Sequence, residues 1–268
     1  MFIFRRQGGL SAMALADLIG CKCSKNTVPY NEFVINYGQS CHSANLNANV
    51  NFNKVQVQRI LEENGIRVPK IFNKGSVLSK REFPILARKN YHSKGKDIIF
   101  IASEKDLQKL NSSRYDFLVK YINKKKEYRV HILGNYKSIV NVKIPKKEEN
   151  SDDIVRSRDN GWIQIEYRGE YVEKLIKIAK DVLKILKYDF GAVDIILGED
   201  GYFYVLEINS APGLEDRKLQ LYADYFLHEE KKFRNVKEVV KQPIKQNVRE
   251  IPVKKVENNQ GIYAWKGN

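Results

Sequence analysis

Cysteine, methionine and tryptophan are scarce in this 268-residue chain, at three, two and two. The three cysteines, Cys21, Cys23 and Cys41, are an odd set with two nearly adjacent, so they are not a disulfide framework. With His42 they would offer four ligands soft enough for zinc, but a Cys-x-Cys and an adjoining Cys-His pair do not match the usual ligand spacings. Free thiols are the expectation. No apolar run reaches the roughly 20 residues that cross a bilayer. The apolar opening Phe2-Ile3-Phe4, followed by Arg5-Arg6, is too short for a secretory signal. A cytoplasmic chain without membrane association is expected. A dinucleotide-type glycine fingerprint is missing, and Gly8-Gly9 does not replace it. There is no internal repeat, and no Ser/His/Asp or Cys/His arrangement for a covalent nucleophile.

Negative charge is also in short supply. Lys plus Arg is 47 against 32 for Asp plus Glu, a net charge of +15. That balance suits an anionic partner, whether nucleotide, nucleic acid or acidic peptide, without choosing among them. Part of the excess is terminal: from Lys231 onward there are ten Lys/Arg against Glu238, Glu250 and Glu257.

What is present is an alternation of short helical and strand patterns. Phe2–Phe4, Leu10–Ile19 and Phe33–Gly38 read as a small strand–helix–strand unit. Asn53–Asn64 reads as a helix stopped by Gly65. Strands are expected at Phe83–Lys89, Ile98–Ile101 and Phe117–Ile122, with a short helix at Ser103–Leu110 capped by Ser103. A hairpin is expected around Gly134-Asn135, from Tyr128–Leu133 to Tyr136–Val142. Val172, Leu175, Ile176, Ala179, Val182, Leu183 and Leu186 form one apolar stripe on a helix over Tyr171–Leu186. Phe190–Leu197 and Tyr202–Asn209 read as two strands of a last hairpin. Past about His228 the pattern dissolves into basic residues broken by Pro243 and Pro252, which reads as a flexible tail. The expected organisation is α+β: a reduced N-terminal α/β unit over 1–50, a small subdomain over 51–116, a larger one over 117–228, and the basic tail over 229–268.

The last hairpin carries the chemistry. With a turn centred on Glu199-Asp200, cross-strand partners sum to 399 and Asp194 faces Val205. Alternation then puts Val205, Glu207 and Asn209 on the face of Asp194, with Glu207 diagonal to it. Ile195, Leu206 and Ile208 point to the other face. Two carboxylates side by side repel unless a cation or proton lies between them. Hard oxygens favour Mg²⁺, which is usually shared with nucleotide phosphates. A solvent-facing polar stripe fits the spacing equally well, although acidic residues are depleted from strands.

Phe190-Gly-Ala-Val-Asp194-Ile-Ile, followed by Val205-Leu-Glu207-Ile-Asn209-Ser-Ala-Pro-Gly213, resembles the metal-binding end of the ATP-grasp family. The likeness extends back, more weakly, to about Asn53. It implies ATP held between two α+β subdomains, with Mg²⁺, or Mn²⁺ in its place, on Asp194, Glu207 and Asn209. The family's phosphate-contacting lysine falls on Arg88, a departure in geometry that keeps the charge, with Lys89 as the alternative. Lys94 and Lys96, in Ser93-Lys94-Gly95-Lys96, match the loop that closes over the phosphates. Lys120, Tyr121 and Ile122 fall on the strand that meets adenine through its backbone, Lys120 replacing the usual acidic residue. Glu127, in Glu127-Tyr128-Arg129-Val130, would accept from a ribose hydroxyl. Arg156, ahead of Arg158, would lie near the transferred phosphate, with Trp162 packed under that loop. Without the resemblance, the 93–96 loop reads as a basic surface turn, Glu127 as a strand-edge charge beside Lys124-Lys125-Lys126, and Arg156 and Arg158 as solvated groups.

The resemblance implies an ATP-dependent carboxylate–amine ligase acting through an acylphosphate, with Arg88 and Arg156 as its catalytic cations. The small N-terminal unit suggests an open site suited to an amino acid, a peptide or a protein end. Phosphoryl transfer without amide formation and nucleotide binding without catalysis are alternatives on the same fold. The other class of function is a nucleic-acid binder using the basic tail with Tyr263 and Trp265. That reading requires affinity to fall on deletion of 231–268 and to depend steeply on salt.

Overall fold

The computed structural model describes residues 1–29, 31–39, 41–50, 53–90, 98–147 and 153–241, with side chains to 235. Its strands form three sheets. The first is parallel, in the order β2-β1-β3, from β1 (Phe2–Arg5), β2 (Lys22–Ser24) and β3 (Val34–Tyr37). Helix α1 (Leu10–Ile19) makes the crossover and stops at Gly20, whose φ of 74° is the left-handed conformation glycine adopts freely. The second sheet is antiparallel, in the order β4-β7-β5-β6, from β4 (Ile71–Asn73), β5 (Ile85–Arg88), β6 (Ile99–Ile101) and β7 (Phe117–Lys120). Helix α3 (Glu104–Lys109) is capped by Ser103, as its sequence implies. The third sheet is antiparallel and five-stranded, in the order β10-β9-β8-β11-β12. Its strands are β8 (Lys124–Leu133), β9 (Lys137–Pro145), β10 (Trp162–Glu166), β11 (Phe190–Gly198) and β12 (Phe203–Asn209).

One face of this large sheet is apolar. Tyr128, Val130, Val140, Val193, Ile195 and Val205 form its core with helices α2 (Lys54–Glu63) and α4 (Val172–Leu186). The apolar stripe of α4 is used as the sequence implies: Leu175, Ala179, Val182, Leu183 and Leu186 are buried. The other face carries Glu127, Arg129, His131, Asn141 and Asp194, and with them the site. A second core joins the N-terminal unit to helix α5 (Asp216–Lys241), where Ile3, Leu15 and Ile35 meet Phe190, Tyr222 and Phe226.

Three expectations about organisation change. Strand β7, expected to open the large subdomain at 117, pairs with β4 and β5 in the small sheet. Helix α2, expected within the small subdomain, packs on the large sheet through Val57 and Leu61. The segment after His228, expected to be irregular, continues α5 as far as Lys241. Ion pairs inside the helix, Lys232 with Glu229 and Arg234 with Glu230, accompany that continuation. Residues 242–268 lie outside the described set.

The thiols of Cys21, Cys23 and Cys41 are free. Among the described residues, no three His, Cys, Asp or Glu gather as a metal site. No helix among them is long and apolar enough to cross a membrane.

Candidate active site

Asp194 and Glu207 sit directly opposite each other on β11 and β12, closer than simple alternation predicts. The register shifts between Asp194 and Ile195, because Ile195 pairs with Val205 and leaves Leu206 as an extra residue. This is a β-bulge. It turns Val205 into the core, 1% exposed, rather than onto the face of Glu207. It also converts a diagonal relation into a facing pair. The bulged backbone is satisfied from outside the sheet: Gln58 Nε2 of α2 donates to the Leu206 carbonyl at 2.8 Å. Val205 N–H donates to the Arg67 carbonyl at 2.9 Å. Asn209 joins the pair, its Nδ2 donating to Glu207 Oε1 at 3.3 Å.

Three cations enclose the two carboxylates. Arg129, opposite Asp194 on β8, donates from Nε to Oδ1 and from Nη2 to Oδ2, each at 2.6 Å. Lys54, the first residue of α2, reaches Glu207 Oε2 at 3.3 Å. Arg88 of β5 approaches the same oxygen to 3.8 Å and so spans the two antiparallel sheets. Partial burial works against ionisation of Glu207, but Lys54, Arg88 and Arg129 outweigh it and hold its pKa down to about 2. Burial lowers the pKa of the Arg88 guanidinium, and Glu207 offsets part of that. A hard cation here would take its oxygens from Asp194, Glu207 and the Asn209 amide, a donor set that fits Mg²⁺. Arg129 already engages both oxygens of Asp194, so a cation taking Asp194 as a ligand competes with that guanidinium for them.

The other expected residues divide. Arg88 lies in the cluster, whereas Lys89 turns away to donate to the Ser113 carbonyl at 2.7 Å. Lys120 Nζ is used structurally, donating to the carbonyls of Arg81, Glu82 and Phe83 at 3.2, 3.0 and 2.9 Å. The N–H groups of Lys120 and Tyr121 donate to the Lys70 and Pro84 carbonyls, so two backbone donors of that strand are committed to the small sheet. The Ile122 side chain is close to Gly198 at the end of β11. Glu127 is buried, with Lys124 Nζ on Oε2 at 3.4 Å and Lys143 Nζ on Oε1. Both its oxygens therefore serve lysines rather than standing open as expected.

Arg156 is also buried, and it ties its loop to the start of β8. It bonds Asp153 at 2.7 Å and the Lys124 carbonyl at 2.9 Å, and lies 4.5 Å over the Trp162 ring. The structure thus gives Arg156 a loop-anchoring role, with Trp162 packed beneath it as expected. Arg158 is exposed and pairs with Glu215. Lys94 and Lys96 lie outside the described residues.

Sequence reasoning missed Lys54, Arg129, Lys124 and Lys143. Lys54 had a local signal, because a cation in the first turn opposes the helix dipole and calls for an external partner. Arg129 had one in retrospect: it alternates with Glu127 on a face whose neighbouring strand carries Asp194. The lysines around Glu127 become meaningful only through the pairing of β8 with β9. The N-terminal unit holds the turn that follows Asn209. Tyr37 OH donates to the Pro212 carbonyl at 2.6 Å, and Leu214 N–H to Ser11 Oγ at 2.9 Å. A groove of about 380 Å³ beside Ser138, Tyr167, Glu170 and Ile176 contains none of the cluster residues.

No family model matches the chain. A D-alanine–D-alanine ligase of Clostridium beijerinckii is 25% identical over 174 residues, which are 60% of this chain and 58% of that ligase. The match therefore spans a little over half the length of this curated relative. Among solved structures, a D-alanine–D-alanine ligase from Bacillus anthracis aligns over 88% of this chain and 98% of its own, with TM-score 0.63 and 18% identity. The ATP-grasp ligase PsnB, solved with minimal precursor, Mg and ADP, aligns over 85% and 96%, with TM-score 0.61 and 11% identity. These likenesses establish the fold that the two solved structures share with this chain.

Proposed function

From the premise that this chain carries the ATP-grasp fold, we propose that it is an ATP-dependent carboxylate–amine ligase. The observation that carries the reading is the facing pair Asp194 and Glu207, completed by Asn209 and enclosed by Lys54, Arg88 and Arg129. Two carboxylates against three cations leave the cluster with a formal charge of +1. A cluster of that sign, with oxygens for a divalent cation, suits a polyanion such as ATP. Mg²⁺ there would offset phosphate charge.

The chain's own groups account for the rest of the demand, which is positioning and neutralisation. In the proposed reaction a substrate carboxylate oxygen attacks the γ-phosphorus and ADP leaves with the bridging oxygen. An amine then attacks the acyl carbon, loses a proton, and expels phosphate. Arg88 and Lys54, both beside Glu207, would offset the negative charge that accumulates, and Arg88 is the group we assign to the phosphates. Backbone groups of Lys120, Tyr121 and Ile122 are the proposed adenine contact, and the loop with Lys94 and Lys96 the proposed phosphate cover. PsnB was solved with a precursor and D-alanine–D-alanine ligase carries its amino acid in its name, so amino acids and peptides are the acceptors to screen first.

The test is ADP release with pooled amino acids and peptides, for the native protein and for Glu207→Gln and Asp194→Asn. Native activity should require Mg²⁺ and fall at least a hundredfold in either variant. Nucleotide affinity and its Mg²⁺ dependence unchanged in both variants would show that the site is misplaced. ATP binding with no acceptor that yields ADP would favour a binding-only protein.

A further inference from the structure

Arg129 occupies a position that one set of contacts does not explain. Its Nε and Nη2 cover both oxygens of Asp194, on the β11 side. Beside it on the same sheet face lie two acceptors with no donor among the described residues. One is Asn141 Oδ1, on β9 directly opposite Arg129 in register and therefore on the same sheet face. The other is His131 Nε2, two residues along β8 on that face. Tyr222 OH is placed to donate to the Gly191 carbonyl at 3.2 Å and lies 3.1 Å from His131 Nδ1. In the tautomer that matches the first of these bonds, His131 donates from Nδ1 to the Tyr222 oxygen and keeps a lone pair on Nε2.

Asn141 and His131 are 5% and 1% exposed, and both orphan atoms are fully enclosed. Unsatisfied buried acceptors are costly and rare. Neither atom is open to solvent in this arrangement. Arg129 is a donor-rich side chain on the same face, on the strand between Asn141 and Asp194 and two residues from His131.

We propose that Arg129 is a two-position residue: it holds Asp194 in the arrangement seen here, and yields it to a divalent cation by swinging to Asn141 and His131. The inference rests on the reading of Asp194 and Glu207 as metal ligands. The swing covers about one strand spacing, roughly 4.8 Å. It exchanges two bonds to Asp194 for two bonds to acceptors that are otherwise unused. The guanidinium stays on the site face throughout, so its charge remains available to a bound polyanion. Arg129 is thus a positioning residue that times access of the cation to Asp194.

The experiment measures Mn²⁺ binding by electron paramagnetic resonance, alone and with the non-hydrolysable ATP analogue AMP-PNP. Arg129→Met should bind Mn²⁺ without nucleotide at least tenfold more tightly than the native protein, because Asp194 is no longer covered. Asn141→Leu should leave nucleotide-free binding unchanged and weaken binding with AMP-PNP about three- to tenfold, the worth of a lost hydrogen bond. Unchanged affinities in both variants overturn the proposal. Asp194→Asn separates the two ideas. If it leaves Mn²⁺ binding with AMP-PNP intact, the metal reading itself fails. If it weakens that binding while the other two variants do nothing, the metal reading stands and the swing is refuted. Should Arg129→Met not fold, the native protein still decides. The Arg129 Nε–H resonance, assigned by its loss in Arg129→Lys, should shift on adding Mg²⁺ with AMP-PNP, and a stationary resonance refutes the swing.

Discussion

Replacing Arg129 with methionine keeps most of the side-chain length and removes the charge opposite Asp194. The Asp194 side chain is 6% exposed and that of Arg129 is 22% exposed, and their two bonds are both 2.6 Å. Breaking a buried pair on one side costs about 3–5 kcal/mol, because the remaining charge is left without a partner. The Arg129 side chain retains some access to water, so roughly 2–4 kcal/mol is expected here. Most domains have about 5–15 kcal/mol in total. The loss should be plain in urea unfolding at neutral pH with a chelator present. The double variant Arg129→Met/Asp194→Asn removes both charges and should recover about half or more of the loss, giving a coupling well outside additivity. Adding Mg²⁺ should stabilise Arg129→Met more than the native protein, since the cation then substitutes for the missing guanidinium. If Arg129→Met unfolds within about 0.5 kcal/mol of the native protein, the pair contributes little, and the expectation drawn from a buried, doubly bonded ion pair is refuted.

Two further outcomes follow from the same contacts. Glu207 has a folded pKa held down to about 2 against an ordinary 4.5, so its pairing stabilises the fold fully above the ordinary value and is lost as pH falls from 4.5 towards 2; Lys54→Met should move the acid limb of a thermal-melt pH profile to higher pH, and an unmoved limb would show that Lys54 is not a main cause. Gly38 has φ of 81° and a built Cβ would come 2.6 Å from Ala211 Cβ, so Gly38→Ala should cost about 1–3 kcal/mol by calorimetry and loosen the turn after Asn209, while an unchanged melting temperature would contradict that close approach.

Much of the fold was legible because its helices and strands obey their own periods. The stripe on α4 and the cap at Ser103 are local patterns, and each forms the element it implies. The misses share a cause. Strand β10 and helix α5 are amphipathic only against partners far away in sequence: β10 pairs with β9, and α5 buries Tyr222 and Phe226 against the N-terminal unit. The Lys-rich start of β8 looks like a surface run, yet Lys124 is drawn inward by Glu127, because the strand opposite places Lys143 there as well. Arg156 follows the same logic in reverse. The resemblance suggested a phosphate contact, but here the guanidinium bonds Asp153 of its own loop and the Lys124 carbonyl at the start of β8.

The metal cluster shows where such reading reaches its limit. Alternation along one strand is local and placed Glu207 and Asn209 correctly on one face. The relation between two strands is not local, because a single extra residue reverses it. Leu206 is that residue, and its carbonyl is held by Gln58 from a helix roughly 150 positions earlier. Without the bulge, Val205 would occupy the site face and Asp194 would meet Glu207 only diagonally. With it, an apolar residue enters the core, a carboxylate faces a carboxylate, and the repulsion between them requires the cations that Lys54, Arg88 and Arg129 supply. The charge pattern of the site is therefore a consequence of the bulge. Gln58, although it touches none of the charged groups, belongs to what holds the site together.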